Sequence, residues 1–127
     1  MHPQGIGVSV LRREDRRFLT GRGQYVSDLS FHDELHCAFV RSPHAHARIA
    51  AIDIAQALAS PGVVAVYTGA DMEADRVGPM TPLWRIPGIG GSVMKEPPRW
   101  ALSRGVARHV GEAVAMVVAT TRNQALD

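Results

Sequence analysis

The stretch LHCAFVRSPHAHARIAAIDIAQALASPGVVAVYTGAD, residues 35–71, decides the fold of this chain. It contains an apolar strand, a break at a proline, an alternating second strand, a short helix, a Pro-Gly turn and a third apolar strand. Nothing in it has the pattern of a nucleophile, a phosphate-binding loop or a metal cage. The stretch therefore predicts the scaffold of a small α+β domain.

The composition describes one globular domain of ordinary type. Of its 127 residues, 46% are hydrophobic and 20% are charged, which is enough to bury a core of modest size. The net charge of +2 argues only weakly for a polyanionic partner. One cysteine excludes a disulfide or a cysteine-held cluster within the chain. Without a long apolar run or a secretory pattern, we expect a cytoplasmic location and no membrane partner.

We expect residues 1–30 to form an extended N-terminal arm and residues 31–127 to form the domain. Between residues 12 and 22 the arm has five arginines and two acidic residues, but a helix there would mix charges into its apolar stripe. We therefore expect extended or irregular chain, with Phe18, Leu19 and Tyr25 as anchors. The arm lacks the interleaved aromatic residues of a nucleic-acid platform, so we expect no nucleic acid. Its Gly-x-Gly at 21–23 is too little for a dinucleotide fingerprint.

Two alternating segments offer candidate chemistry. In the first, Cys37 shares the apolar face of a strand, so it is expected to point into a core and to stay inert. In the second, His44, His46 and Arg48 share one face, and two histidines at this spacing could bind a transition metal. No third ligand lies nearby in sequence, and the arginine would repel a cation. A polar strand face against solvent or a partner is the alternative.

The following elements complete the scaffold. Asp53 and Gln56 indicate a capped helix that ends at residues 60–62, and residues 63–67 predict a strand covered on both faces. Residues 73–100 are rich in proline and glycine and predict a functional or partner-contacting loop, with Trp84 and Trp100 anchoring its ends. Residues 110–119 predict the last strand, with a Gly/Ala face for close approach and a Val/Met face in a core. Thr121 and Gln124 predict a helix that is truncated at Asp127.

Four motifs, in order, resemble the start of the molybdenum hydroxylase large subunit. They are RREDRRFLTGRGQYVSD, AFVRSPHAHARIAAID, PGVVAVYTGAD and RHVGEAVAMVVATTRNQALD. That family includes xanthine dehydrogenase, aldehyde oxidase and aerobic carbon monoxide dehydrogenase, and the similarity is nearest the bacterial carbon monoxide dehydrogenase-like chains. The resemblance covers residues 5–127 and implies an N-terminal α/β hammerhead domain, with a mixed sheet and short helices.

The resemblance also implies what the parent enzyme contains. Molybdopterin binds in the large subunit, and [2Fe-2S] clusters and FAD lie on companion subunits or domains. The enzyme hydroxylates aldehydes or N-heterocycles, or oxidises carbon monoxide. None of the family's cofactor-contacting or catalytic motifs matches this stretch, so no catalytic, cofactor-binding or metal residue is assigned. In particular, Glu112 in the VGE motif is expected to be structural.

Two hypotheses of different class therefore stand. In the first, the chain is a domain or split subunit of a molybdopterin-dependent oxidoreductase, inactive alone, with the molybdopterin domains and the FAD and iron–sulfur subunits as partners. It would then leave apolar surface uncovered when isolated. In the alternative, the chain is a stand-alone module that binds an anion, a nucleic acid or a metal through the arginine-rich arm or through His44 and His46.

Overall fold

The computed structural model describes residues 6, 7, 9 and 11–127. The chain divides into two compact units, Met1–Glu34 and Leu35–Asp127. The boundary between arm and domain predicted at residue 30 remains a prediction. In the described part of the chain, every helix is too short or too polar to cross a bilayer.

The first unit contains a short helix, α1 (Asp15–Leu19), and a 3-10 turn at Val26–Asp28. The expectation of extended or irregular chain was therefore wrong for residues 15–19. Two local interactions explain the helix: Arg12 pairs with Asp15 at 3.0 Å, and the ring of Phe18 stacks on that of Tyr25 with centroids 5.6 Å apart. Such near-neighbour contacts stabilise a turn of helix that a simple apolar stripe does not reveal.

The second unit is built on a three-stranded sheet in the order β1 (His36–Arg41), β5 (Ala113–Ala119), β3 (Val63–Thr68). A second pair joins β2 (Ala47–Arg48) to β4 (Val106–Ala107). The predicted α+β class is confirmed. The sheet was expected to be mixed, yet its ladders between described strands are all antiparallel. The reason is that β5 separates β1 from β3, which run in the same direction.

Three short helices accompany the strands: α2 (Ala55–Ala59), α3 (Gly69–Ala74) and α4 (Arg122–Leu126). At the start of α2, the Asp53 carboxylate accepts a hydrogen bond from the N–H of Ala55 at 3.0 Å, without the capping box expected with Gln56. The helix start predicted at Thr121 is confirmed, since its hydroxyl accepts from the N–H of Gln124.

The helix α3 was not predicted, although a capping box marks its start. The backbone N–H and the hydroxyl of Thr68 donate to the Asp71 carboxylate at 2.6 and 2.7 Å. In return, the Thr68 hydroxyl accepts from the N–H of Ala70 at 3.3 Å. The signal was present in the sequence as Thr-x-x-Asp directly after a strand. The helix was not predicted from this signal because the preceding apolar residues of β3 dominate the hydrophobic pattern of the region.

The core lies on the face of the sheet that carries the alanines of β5. Ala115 and Ala119 are 2% and 0% exposed, and Val66 of β3 shares this side at 9%. Both α2 and α4 pack against the sheet, and Ala125 of α4 is also buried. The predicted close approach to the small-residue face is therefore confirmed. The Val/Met face of β5, expected in a core, is only half-buried.

The segment 73–100 is mostly irregular, with a 3-10 turn at Ile89–Gly91. An antiparallel bridge between Met80 and Arg99 closes its ends. Trp100 is held by the Arg104 guanidinium, which lies 3.6 Å from the ring centroid. Trp84 is 81% exposed, so the expectation that it anchors the segment was wrong. A Pro/Gly-rich chain can place a tryptophan in solvent because it has few backbone hydrogen bonds to restrain it.

Candidate docking face and cationic groove

The sheet of the second unit leaves one apolar face open. Residues that pair directly across strands lie on the same face, and Phe39, Met116 and Tyr67 form one such row. Phe39 is 47% exposed and Tyr67 is 36% exposed. The adjacent row contains Cys37 and Val118. We call the face carrying these five residues the open face.

Two expectations from the sequence are corrected by the open face. Cys37 was expected to point into a core, but its side chain is exposed. The strand β3 was expected to be covered on both faces, but it lies at the edge of the sheet and exposes Val64 by 54%. The strand β1 is present as predicted, but its apolar side with Cys37 and Phe39 is exposed, while His36 and Ala38 on the other side are half-buried. Periodicity defines two faces and does not say which of them is covered.

A groove of 480 Å³ lies beside the end of the main sheet, and we call it the cationic groove. Its lining residues are Arg41, Met80, Pro97, Pro98, Arg99, Trp100, Arg108, His109, Gly111, Glu112 and Ala113. They come from the end of β1, from the turn before β5 and from the returning end of the 73–100 segment. The topology thus brings together residues that are about 70 positions apart in sequence, as in the hydrogen bond from Arg41 to the Gly111 carbonyl.

Glu112 is fixed at the base of this groove. Its carboxylate accepts a hydrogen bond from the N–H of Arg108, lies 3.7 Å from the Arg108 guanidinium and lies 3.6 Å from the His109 ring. The backbone continues the β1–β5 pairing here, because the N–H of Ser42 donates to the Glu112 carbonyl at 2.9 Å. These contacts hold the turn before β5 against the end of β1.

The pKa of Glu112 reflects opposing effects. Burial removes water from the carboxylate and by itself raises the pKa, but the Arg108 N–H, the Ser103 hydroxyl and the charges of His109 and Arg108 together lower it below its usual range. The Ser103 hydroxyl makes no hydrogen bond of ordinary geometry. We therefore attribute the lowered pKa of Glu112 mainly to the hydrogen bond from the Arg108 N–H. Glu112 is consequently ionised at neutral pH. Because its pKa is lowered, this carboxylate is a weak base, and its oxygen atoms already interact with Arg108, so it is poorly suited to act as a general base.

The two histidines of the metal hypothesis do not form a site. The strand predicted at residues 44–49 is only two residues long, and His44, His46 and Arg48 are all exposed. Over the described residues, no group of three or more histidine, cysteine, aspartate or glutamate side chains is arranged to hold a metal. The first unit, described by itself, has an arginine-lined cleft of 440 Å³ formed by Arg13, Arg16, Arg17, Thr20 and Arg22.

That Arg41 and Arg99 line one groove was not predicted from the sequence. Arg99 lies in the Pro/Gly-rich segment, and only the bridge to Met80 brings it to the groove. The available signal was the Pro-Pro-Arg-Trp run at residues 97–100, where a stiff dipeptide precedes a cation and a large aromatic. Without the Met80–Arg99 bridge, nothing in the sequence indicates which residues lie beside residues 97–100.

The fold corresponds to a defined class. Residues 20–127 match the family model described as the α/β hammerhead domain of aldehyde oxidase and xanthine dehydrogenase. The chain belongs to this family. The resemblance to molybdenum hydroxylase large subunits is therefore confirmed, and a domain of such a subunit is supported over a stand-alone binding module.

Particular relatives include the nicotine 6-hydroxylase large subunit of Paenarthrobacter nicotinovorans, 43% identical over 96% of this chain and 14% of that protein. The carbon monoxide dehydrogenase large chain of Afipia carboxidovorans is 40% identical over 98% and 14%. The crystal structure of quinoline 2-oxidoreductase from Pseudomonas putida 86 is similar with a TM-score of 0.78 and 47% identity, over 96% of this chain and 15% of that one. This chain thus spans about 14% of the length of these curated relatives.

The names of these relatives describe assemblies. They are called large subunits, large chains and, in one case, subunit gamma of a dehydrogenase complex. One similar structure is that of a copper- and molybdenum-containing carbon monoxide dehydrogenase. Relatives of this chain are therefore parts of multi-subunit oxidoreductases.

Proposed function

We propose that this chain acts as the hammerhead scaffold of a molybdopterin-dependent oxidoreductase. Its partners are the molybdopterin-binding domains of the large subunit, and the assembly includes the FAD and iron–sulfur subunits, with a cytoplasmic location. The reaction of the whole enzyme is hydroxylation of an aldehyde or N-heterocycle, or oxidation of carbon monoxide. The chain itself contributes structure, and no catalytic residue is assigned to it.

The observation that carries this proposal is the open face. Family membership covers nearly the whole chain, yet the sheet leaves Phe39 47% and Tyr67 36% exposed on one face, with Met116 between them only half-buried. A sheet with two apolar faces gains stability only when both are covered. In an assembly that is several times longer than this chain, the covering layer is supplied by another domain.

The proposed scaffold role also agrees with the chemistry of the charged groups. Glu112 is ionised and held by its neighbours, and the exposed histidines have no third ligand in the described part of the chain. The molybdenum cofactor would supply the redox centre from the partner domains. This chain would support the arrangement of the large subunit around the cofactor.

A co-purification experiment tests the proposal. The chain, carrying an affinity tag, is co-expressed with the molybdopterin-binding domains of its large subunit, produced as a separate molybdopterin-binding polypeptide. The dissociation constant is measured for wild type and for Phe39→Asp. We expect a stable wild-type complex, with Phe39→Asp about thirty-fold weaker, since loss of a buried aromatic at an interface costs about 2 kcal/mol.

The matched control is Ile89→Asp, which places the same charge on a side chain that is fully exposed in the 73–100 segment. We expect it to bind like the wild type. A wild-type chain that stays monomeric and shows no affinity for the molybdopterin-binding polypeptide would contradict the proposed function.

A further inference from the structure

The cationic groove has more positive charge than its own residues neutralise. It is lined by Arg41, Arg99 and Arg108 together with His109, against the single carboxylate of Glu112. That carboxylate lies beside Arg108 and His109. In the described residues, neither Arg41 nor Arg99 has a carboxylate within ion-pair distance. Two guanidinium groups on one groove are thus left with uncompensated charge.

The two arginines differ in how they are held. The Nη1 of Arg41 donates to the Gly111 carbonyl at 2.8 Å, and its guanidinium lies 5.7 Å from the ring centroid of Phe39. These contacts orient the group but leave its charge and its other N–H donors available. Arg99 is positioned through its backbone, since its carbonyl accepts from the N–H of Met80 at 2.8 Å. Its exposed side chain remains available for a partner.

The remaining wall of the groove is apolar and stiff. The rings of Pro97 and Pro98 fix their φ angles, and the ring of Trp100 is held by the Arg104 guanidinium at 3.6 Å. Met80 completes this side. The groove therefore presents two cations beside a preformed apolar wall. The complementary ligand has an anionic group next to apolar side chains.

The groove is continuous with the open face through Arg41. Its guanidinium borders the groove, while the same group lies against the ring of Phe39. An apolar centre with a charged margin is the usual anatomy of a protein interface. This continuity favours a polypeptide over a small free anion as the occupant.

We propose that the cationic groove receives an acidic segment of the molybdopterin-binding domains of the large subunit. A glutamate or aspartate carboxylate of that segment pairs with Arg41 and Arg99, and a neighbouring apolar side chain packs on Trp100 and the two prolines. The inference rests on the proposed function and adds to it the chemistry of the contact. The two arginines determine how the acidic segment is aligned in the groove and which partner binds there, because a guanidinium binds a carboxylate through paired hydrogen bonds of fixed geometry.

Charge reversal in the complex tests this inference. The affinity of the chain for its molybdopterin-binding polypeptide is measured at 50 and 300 mM salt for wild type, Arg99→Glu, Arg99→Lys and Arg122→Glu. We expect Arg99→Glu to bind at least tenfold more weakly at low salt and to lose part of the salt dependence. Arg99→Lys keeps the charge but loses the paired hydrogen bonds, so we expect an affinity between those of the wild type and Arg99→Glu.

Arg122→Glu is the matched control, because it makes the same change at an exposed residue that does not line the groove. We expect its affinity to equal that of the wild type. Equal weakening by Arg122→Glu and Arg99→Glu would overturn the inference in favour of a general charge effect. Wild-type-like binding of Arg99→Glu would overturn the inference alone, whereas absence of wild-type binding would overturn the proposed function.

A labelling experiment on the unmutated protein tests the inference even if the variants do not fold. Phenylglyoxal modifies accessible guanidinium groups, and the modified arginines are identified by mass spectrometry in the free chain and in the complex. We expect complex formation to protect Arg41 and Arg99 at least tenfold while Arg122 stays reactive. Unchanged labelling of Arg41 and Arg99 in the complex would overturn the inference.

Discussion

Gly69 packs directly against the backbone of Ser103. A Cβ on Gly69 would overlap the Ser103 carbonyl oxygen and would lie 2.9 Å from the carbonyl carbon. Both residues are buried, and the N–H of Ser103 donates to the Ala113 carbonyl at 2.8 Å. This close approach joins the start of α3 to the chain beside β5. No side chain can be accommodated at residue 69 without moving backbone.

We therefore expect Gly69→Ala to destabilise the fold by about 1–3 kcal/mol, the usual cost of overpacking a close contact. The measurement is urea unfolding of the purified chain followed by circular dichroism. Gly78→Ala is the matched control, since a Cβ at residue 78 meets nothing within 4 Å, and it should leave stability unchanged or slightly higher. Equal midpoints for the two variants would contradict the steric argument.

The capping box of α3 predicts a pH-dependent effect at Asp71. Hydrogen bonds from the hydroxyl and the N–H of Thr68 lower the pKa of the Asp71 carboxyl below its ordinary value of 3.8. Because the folded-state pKa is depressed, the carboxylate stabilises the fold above about that pH, and this contribution is lost as the pH falls through the lowered pKa. We expect Asp71→Asn to destabilise the chain at pH 7, with a difference from wild type that shrinks below pH 3.8.

Asp75→Asn is the control for Asp71→Asn, since it removes the same charge at the other end of α3. Thermal unfolding at several pH values measures both variants. If Asp71→Asn and Asp75→Asn behaved alike at pH 7, the capping box would not contribute to stability.

Glu112 should contribute more than an exposed acidic residue. Its side chain is 15% exposed, against 70% for Glu73, which lies 3.8 Å from Arg104. We expect Glu112→Ala to cost about 1–3 kcal/mol, because the Arg108 N–H loses its charged acceptor, and Glu73→Ala to cost less than about 1 kcal/mol. Urea unfolding at pH 7 measures the difference.

The pH dependence gives a second readout for Glu112. Its pKa is lowered from 4.5, so its stabilising contribution is present above that pH and is lost as the pH falls through the lowered value. The gap between wild type and Glu112→Ala should therefore narrow in acid. A gap that is constant from pH 7 to below pH 4.5 would show that the charge is not the cause.

Cys37 reports on the open face. As the one cysteine of the chain, exposed on the row next to Phe39, it should react readily with a maleimide in the isolated chain. We expect protection by at least tenfold when the molybdopterin-binding polypeptide is bound, measured by mass spectrometry at timed intervals. Denatured chain gives the fully reactive control. Equal labelling of free and bound chain would place the docking surface elsewhere.

Local signals in the sequence were sufficient for most elements. The alternation of residues 35–40, the stop at residues 60–62 and the cap at Thr121 predicted β1, the end of α2 and the start of α4, because each depends on neighbours along the chain. The family was indicated by the resemblance of four motifs rather than by these local rules. The structural role of Glu112 was expected from that resemblance and stays a prediction.

Only the tertiary structure decided which faces are covered and which charges meet. The period of a strand defines two faces, but burial depends on what packs beside it, so Cys37 lies on the open face and the alanines of β5 form the core. Likewise, Arg41 and Arg99 share a groove because β1, the turn before β5 and the Met80–Arg99 bridge converge. Contacts between residues far apart in sequence are set by strand register and loop closure, which local patterns do not encode.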